Sequence, residues 1–222
     1  MRKSKAETAQ TRCRIVDSAL SAFRKNGIDG TSLNDLMAAA GLTHGGFYRH
    51  FGSKDQLVAE ACTLGFEAMV ESVREACATT FSSSHNAGPA SVIAVANAFL
   101  SESARDERVA SCPFTSIGSE LARSDPATRH AATNGLRRSA DLLAQQFQTP
   151  CPEAARSLAV AALSAIIGGL TLARIVDDAT FSDMILSDVR KLIGWMTVPP
   201  VEAQSNRSKA MDDPCLPPAT RL

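Results

Sequence analysis

The spacing of apolar residues restricts the fold of this chain more than any other feature. Ile15, Ala19 and Phe23 recur at four-residue steps, and the same helical spacing recurs from Leu33 to Ala40. Such spacing places the apolar side chains on one face of an α-helix. Because no stretch sustains the two-residue alternation of a β-strand, we predict an all-α fold of about nine helices.

Glycine, serine and threonine residues mark the ends of the predicted helices. Gly27 lies where a left-handed residue would end the first helix. Ser32 begins the second helix with Asp35 at capping-box spacing, Gly41 ends it after two turns, and Thr43 is placed to cap a short third helix. The predicted helices span 8–26, 32–40, 44–50, 54–78, 89–103, a short segment from 113, 125–148, 153–176 and 180–196, with a polar break over 105–111.

The second and third predicted helices, joined through residues 41–43, form a helix-turn-helix unit. The third helix has Phe47 as its main core residue, so it is poorly suited to a purely structural role. A short polar helix fits the major groove of DNA, and Gly45 and Gly46 let its backbone approach the duplex closely. The residues that we expect this helix to expose are Thr43, His44, Tyr48, Arg49 and His50.

Basic residues are concentrated at the amino-terminal end. Residues 1–54 hold nine Lys/Arg and four Asp/Glu, whereas the whole chain holds 23 of each class. The first 54 residues therefore carry five excess positive charges, and the remainder carries five excess negative charges. This asymmetry indicates that the amino-terminal end binds a polyanion.

The stretch from Thr31 to Leu57 resembles the DNA-binding domain of the TetR/AcrR repressors. The resemblance is strongest over Phe47-Tyr48-Arg49-His50-Phe51 and the following Ser53-Lys54-Asp55, and it covers roughly residues 8–68. It implies a homodimeric repressor released from a near-palindromic, double-stranded operator by a small-molecule or electrophile effector. It also implies a DNA-binding domain at 8–68 (motif at 31–50) and a ligand-binding and dimerisation domain at 69–198. The segment 199–222 is predicted to be a disordered tail.

The resemblance assigns roles to individual residues of the motif. Thr43, His44, Gly45 and Gly46 match the base-facing start of the recognition helix, whereas Tyr48 and His50 match phosphate-contacting positions. Arg49 can donate to guanine or phosphate. We also count Ser32 and Lys54 among the predicted DNA-binding residues, Lys54 because it begins the fourth helix, where backbone N–H groups favour an anion. The family often carries side chains where this chain has Gly45 and Gly46, so fewer side chains are available for base readout.

The carboxyl-terminal half carries weaker predictions about the effector. Cys112 precedes Pro113 at a helix start, a position that lowers a thiol pKa, so one hypothesis is a sensor thiol. The alternative is a buried structural cysteine. The helices at 153–176 and 180–196, rich in small residues, are predicted to form the dimer interface. The apolar residues Phe66, Met69, Phe99, Phe114 and Phe147 are candidate linings of an effector pocket or, alternatively, ordinary core.

Other classes of protein fit the sequence less well. No nucleophile elbow, phosphate loop, dinucleotide fingerprint or metal-ligand spacing is present, so we predict neither an enzyme nor a metal or cofactor site. No signal peptide is predicted. The longest apolar run, Leu158–Ala173, is shorter than the roughly twenty residues of a membrane span. Scattered cysteines indicate reduced thiols and a cytoplasmic protein. A thiol sensor or small-molecule-binding protein without DNA binding stays open, but it would leave the basic, polar third helix unexplained.

Overall fold

The computed structural model describes residues 4–81, 87–107, 112–149 and 151–198. Within these ranges the chain forms nine α-helices and one 3-10 helix, with no strand, which confirms the all-α prediction. The helices are α1 (Lys5–Asn26), α2 (Leu33–Ala39), the 3-10 helix (His44–Arg49), α3 (Lys54–Phe81), α4 (Ala87–Phe99), α5 (Glu102–Asp106), α6 (Pro113–Leu121), α7 (Pro126–Ala144), α8 (Pro152–Ile175) and α9 (Ala179–Met196).

The described chain packs as two compact units. The first comprises the residues up to Glu71 together with Ser103–Arg137, and the second comprises Ser72–Glu102 and the residues from Arg138 onward. The domain boundaries inferred from the sequence concern function rather than packing, so they stay a prediction. The tail predicted at 199–222 lies outside the described residues.

Helix α1 of the first unit begins three residues earlier than predicted. Ser4 caps it in the extended conformation: its hydroxyl accepts from the backbone N–H of Glu7 at 3.1 Å, and the Glu7 carboxylate accepts from the N–H of Ser4 at 2.6 Å. This reciprocal pair is a capping box. The buried stripe of α1 includes the predicted Ile15, Ala19 and Phe23, and α1 packs against α2 and α6.

Two glycines end α1 and α2 with positive φ. At Gly41 (φ 70°), the N–H of Leu42 donates to the carbonyl of Met37 at 2.8 Å, which completes a left-handed helix end where the sequence predicts that α2 stops. Gly27 has φ 81° and ψ 165°. These angles lie outside the left-handed helical region predicted for it, in a region that is almost exclusive to glycine.

A third glycine allows three helices of the first unit to approach one another. A Cβ added at Gly65 of α3 would lie 2.8 Å from Leu20 Cδ1 of α1 and 3.2 Å from Pro113 Cγ of α6. Nearby, Gly135 of α7 admits the Phe66 side chain, since a Cβ there would lie 2.6 Å from Phe66 Cβ. Small residues at these crossings therefore let α1, α6 and α7 pack closely on α3.

Helices α4, α8 and α9 pack together in the second unit. Gly169 of α8 faces Val189 of α9, so closely that a Cβ would lie 2.8 Å from Val189 Cγ2. The Ser182 hydroxyl donates to the carbonyl of Ala173 at 2.7 Å and ties the start of α9 to α8. By length and composition α8 is apolar enough to cross a membrane, with 39% of its most apolar stretch buried in the protein.

Several sequence expectations differ from the structure at element ends. Helix α4 ends at Phe99, α5 occupies part of the predicted polar break, and α7 ends at Ala144 instead of continuing to about residue 148. Cys151 is buried at the N-cap position of α8, where its sulfur lies 2.8 Å from the Glu153 carboxylate. Cys215 lies outside the described residues, and the other four cysteines are thiols.

Candidate nucleic-acid interface

The segment predicted as the recognition helix is a 3-10 helix, His44–Arg49, and we keep the name recognition helix for it. The N–H of Gly46 donates to the carbonyl of Thr43 at 2.9 Å, and the N–H of His50 donates to the carbonyl of Phe47 at 2.8 Å. These are the short-range bonds of a 3-10 helix. Thr43 occupies the N-cap position but makes no side-chain capping bond, which leaves its hydroxyl available to DNA and corrects the predicted cap.

Phe47 anchors the recognition helix to the protein. Its side chain is fully buried, stacks on Phe51 with ring centroids 5.6 Å apart, and receives Tyr48 edge-on at 5.2 Å. It is the one buried residue of this helix. The rest of the helix is therefore directed toward the solvent, as expected for a surface that binds a ligand as large as DNA.

Most of the predicted DNA-binding residues form one exposed polar surface. Thr43, His44, Gly45, Tyr48 and Arg49 are exposed, and Tyr48 retains 64% of its accessible surface. The imidazole of His44 packs edge-on against the Tyr48 ring with centroids 6.3 Å apart. In contrast to the sequence expectation, His50 is half-buried, as is Gly46.

Two further predicted residues are engaged within the protein. The Ser32 hydroxyl accepts from the N–H of Asp35 at 3.2 Å and donates to its carboxylate at 2.6 Å, so it acts first as the cap of α2. The Lys54 ammonium donates to the carbonyl of Ile28 at 2.7 Å. An ammonium has three donors, so Lys54 keeps donors for a phosphate while it fixes the α1–α2 loop.

Sequence reasoning missed Arg12 of α1. Its guanidinium donates to the carbonyl of His50 and to the carboxylate of Glu60, and it lies over the Phe51 ring with Cζ 4.1 Å from the centroid. The partners are 38 and 48 residues away in the chain. The excess positive charge of residues 1–54 includes Arg12, but nothing local in the sequence separates it from the other basic residues.

The candidate effector residues are divided between the two units. In the first unit the rings of Phe66 and Phe114 have centroids 4.8 Å apart, and Met69 Sδ lies 3.3 Å from Cys112 Sγ. Phe99 and Phe147 belong to the second unit. The assignment of these five residues to one effector pocket therefore stays a prediction.

Two buried cysteines, Cys62 and Cys112, lie near the Arg24 guanidinium. Cys112 is 7% exposed. Burial raises the pKa of the nearby Cys62 thiol to about 12, with the negative charge of Asp125 adding to the effect. Burial also lowers the pKa of the Arg24 guanidinium. Reagents therefore have little access to the sulfur of Cys112, and its role as a sensor stays a prediction.

A cavity of about 320 Å³ lies in the first unit, between the α1–α2 loop and the α6–α7 turn. Its lining includes the carboxylates of Asp29, Asp55, Glu120 and Asp125, together with Arg123. None of the predicted effector residues lines it. Among the described residues, no group of three or more His, Cys, Asp or Glu side chains is arranged to hold a metal ion.

Two family models match consecutive parts of the chain. The model described as "Bacterial regulatory proteins, tetR family" matches residues 15–61, which include α2 and the recognition helix. The model described as "Transcriptional regulator LmrA/YxaF-like, C-terminal domain" matches residues 87–183. The chain is a member of the TetR family of transcriptional regulators. The stretch matched by the first model includes the residues that form the exposed polar surface, and this TetR-family member is a DNA-binding transcriptional regulator.

Individual relatives agree with the family assignment. The chain is 44% identical over 59 residues to the HTH-type transcriptional regulator AcrR of Shigella flexneri, and this match spans only 27% of either chain. It is 27% identical over 188 residues to an uncharacterized HTH-type transcriptional regulator of Mycobacterium tuberculosis, covering 81% of this chain and 92% of the relative. A TetR transcriptional regulator from Chloroflexus aurantiacus superposes with a TM-score of 0.66 at 29% identity, covering 85% of this chain and 96% of that structure.

Proposed function

We propose that this TetR-family regulator is a homodimeric repressor that binds a near-palindromic operator and leaves it when a small-molecule or electrophile effector binds. The observation that carries the proposal is the recognition helix: one buried anchor, Phe47, with exposed donors on either side of it. In the proposed complex Thr43 and His44 face base edges, while Tyr48, Arg49 and Lys54 contact phosphates. Since its ligand is operator DNA, we place the protein in the cytoplasm.

Exposed apolar residues on α8 and α9 support the homodimer. Leu172 and Ile175 of α8 retain 54% and 70% of their accessible surface, and Met184 and Trp195 of α9 retain 50% and 73%. Large apolar side chains that are this exposed to solvent on two adjoining helices indicate a protein interface. Two helices from each subunit would form a four-helix bundle, and its twofold axis would place two recognition helices about 34–36 Å apart, one turn of DNA.

Helix α6 supports a physical route for effector release. It lies in the region matched by the carboxyl-terminal family model, packs against α1, and presents Glu120 to the α1–α2 loop, where the carboxylate accepts from the N–H of Asp29 at 2.8 Å. An effector that favours another position of α6 would move this loop. Because Lys54 binds the same loop at Ile28, the movement would reach the DNA-binding surface. An effector shifts the population only through unequal affinity for the two positions.

Fluorescence anisotropy with two DNA probes tests the DNA-binding surface. The probes are a random-sequence duplex and a duplex selected from a random pool by the unaltered protein. Tyr48→Ala and Lys54→Ala should each weaken binding to both probes. Lys54→Ala should also reduce the salt slope by about 0.9 if one phosphate contact is lost, whereas Tyr48→Ala removes no charge and should leave the slope nearly unchanged. Lys191→Ala is the matched control, because Lys191 is an exposed lysine paired with Asp188 in the second unit.

Two results would contradict the assignment of the surface. One is that Tyr48→Ala and Lys54→Ala both bind the two probes as tightly as the unaltered protein does. The other is an equal loss in Lys191→Ala, which would show that binding depends on total charge and not on this surface.

Sedimentation equilibrium tests the dimer. Trp195→Glu should shift the protein toward monomers and weaken binding to the selected palindrome far more than to a single half-site. The control is Lys191→Ala, which changes another exposed residue of α9. If the two subunits of Trp195→Glu associate as tightly as those of the unaltered protein, the interface lies elsewhere.

A further inference from the structure

The guanidinium of Arg12 joins three parts of the DNA-binding region. It donates to the main-chain carbonyl of His50, donates to the carboxylate of Glu60 on α3, and covers the face of the Phe51 ring. Arg12 itself belongs to α1. One side chain therefore connects α1, the end of the recognition helix and α3.

The carbonyl that Arg12 binds lies at the carboxyl-terminal end of the recognition helix. The last carbonyls of a helix have no partner within it and carry partial negative charge, so a cation there is favourable. His50 follows the last helical residue, Arg49. The contact with Arg12 thus fixes the end of the recognition helix, whereas Phe47 fixes its middle.

Arg12 also belongs to a network that holds the turn between the recognition helix and α3. The Gln56 side chain donates to the Glu60 carboxylate at 3.2 Å and accepts from the N–H of Gly52 at 2.8 Å. The Ser53 hydroxyl accepts from the N–H of Gln56 at 3.1 Å. Every step from Arg12 to the turn is therefore a hydrogen bond within the protein.

We propose that Arg12 is a positioning residue for DNA recognition, which sets the orientation of the recognition helix on α1 and α3 and does not itself contact DNA. The inference rests on the proposed DNA-binding surface. An arginine suits the position because a planar guanidinium can bind two acceptors in its plane while it stacks on an aromatic ring. A lysine ammonium keeps the charge but cannot make all three contacts.

The test compares Arg12→Gln, Arg12→Lys and the control Arg14→Gln, an exposed arginine of the same helix. Anisotropy with the selected duplex and the random duplex gives the affinity ratio and the salt slope of each variant. Hydrogen exchange of residues 44–53 and of α1, with thermal unfolding, reports whether the change is local. Arg12→Lys serves as the test variant if Arg12→Gln does not fold.

We expect both Arg12 variants to lose about tenfold in affinity for the selected duplex, the size of one lost base-pair contact. The affinity of Arg12→Gln for the random duplex and its salt slope should match those of Arg14→Gln, whereas Arg12→Lys, which keeps the charge, should match the unaltered protein in both. Exchange should accelerate in residues 44–53 and stay slow in α1. Glu60→Ala, which removes the acceptor of Arg12 without altering the basic charge of α1, should reproduce the loss of affinity for the selected duplex.

Three results would overturn the inference. If Arg12→Gln lowers the salt slope by about 0.9 relative to Arg14→Gln, Arg12 contacts a phosphate directly. If both affinities stay at the unaltered values while Tyr48→Ala weakens them, the DNA surface is right and the positioning role of Arg12 is wrong. If Tyr48→Ala also has no effect, the proposed DNA surface fails and the inference fails with it.

Discussion

Substitution of Gly27 by alanine should destabilise the protein through two separable effects. The backbone of Gly27, with φ 81° and ψ 165°, adopts a conformation that costs other residues about 1–3 kcal/mol. In addition, the new Cβ would lie 3.0 Å from both carboxylate oxygens of Glu120. The carboxylate would have to move away from the N–H of Asp29, and the loss of a hydrogen bond to a charged group costs about 1.5 kcal/mol.

A double-mutant cycle separates the two effects. We expect Gly27→Ala to cost about 3.5 kcal/mol, of which about 2 kcal/mol is backbone strain, and Glu120→Ala to cost about 1.5 kcal/mol. In the double variant the hydrogen bond is lost only once, so the total should be about 3.5 kcal/mol instead of the additive 5 kcal/mol. Urea unfolding at one fixed protein concentration measures all four free energies of unfolding.

Gly41→Ala is the matched control for the cycle. Gly41 also has positive φ, but a Cβ there would meet nothing within 4 Å, so its cost should add to that of Glu120→Ala. Additivity of Gly27→Ala and Glu120→Ala within about 0.5 kcal/mol would refute the reasoning, because it would mean that the added methyl group does not displace the carboxylate.

Three further predictions concern the thiols and the α8–α9 contact. Burial raises the pKa of Cys62 to about 12, so the stability that its protonated thiol contributes is fully present below about pH 8.5 and is lost as the pH rises toward 12. Cys62→Ala should therefore flatten the decline of the unfolding free energy at alkaline pH. An unchanged slope of unfolding free energy against pH would contradict this. Maleimide should modify exposed Cys13 well before buried Cys112, as intact-mass analysis can follow; rapid modification of Cys112 accompanied by DNA release would instead favour the sensor hypothesis. Gly169→Ala should cost about 1–3 kcal/mol in urea unfolding, since its Cβ would lie 2.8 Å from Val189 Cγ2, and a cost near zero would show that α9 shifts freely.

The helix ends show what local sequence can predict. The caps at Ser32 and Gly41 and the start of α3 near Lys54 follow from groups whose hydrogen-bond partners lie within five residues along the chain. The start of α1 carries the same local signal, because Ser4 and Glu7 have the capping-box spacing of Ser32 and Asp35, although the predicted start lies three residues later.

The positioning contacts could not be predicted in the same way. Arg12 reaches across 38 and 48 residues to its partners, and Glu120 reaches across 91 residues to Asp29. Such contacts depend on which helices pack together, and spacing along one helix does not determine that. The half-burial of His50 has the same origin, because it follows from the packing of the turn after the recognition helix.

The two glycines of the recognition helix occupy positions where a side chain could be added without a steric clash. A Cβ at Gly45 would meet nothing within 4 Å, and one at Gly46 would come no closer than 3.6 Å, to Met37 Cε. A new side chain at either position could gain a base contact of about 1–3 kcal/mol without disturbing Phe47 or Arg12. A duplicated copy of this gene could therefore acquire a different operator by single-codon changes, so the recognition surface can diverge while the framework beneath it stays constant.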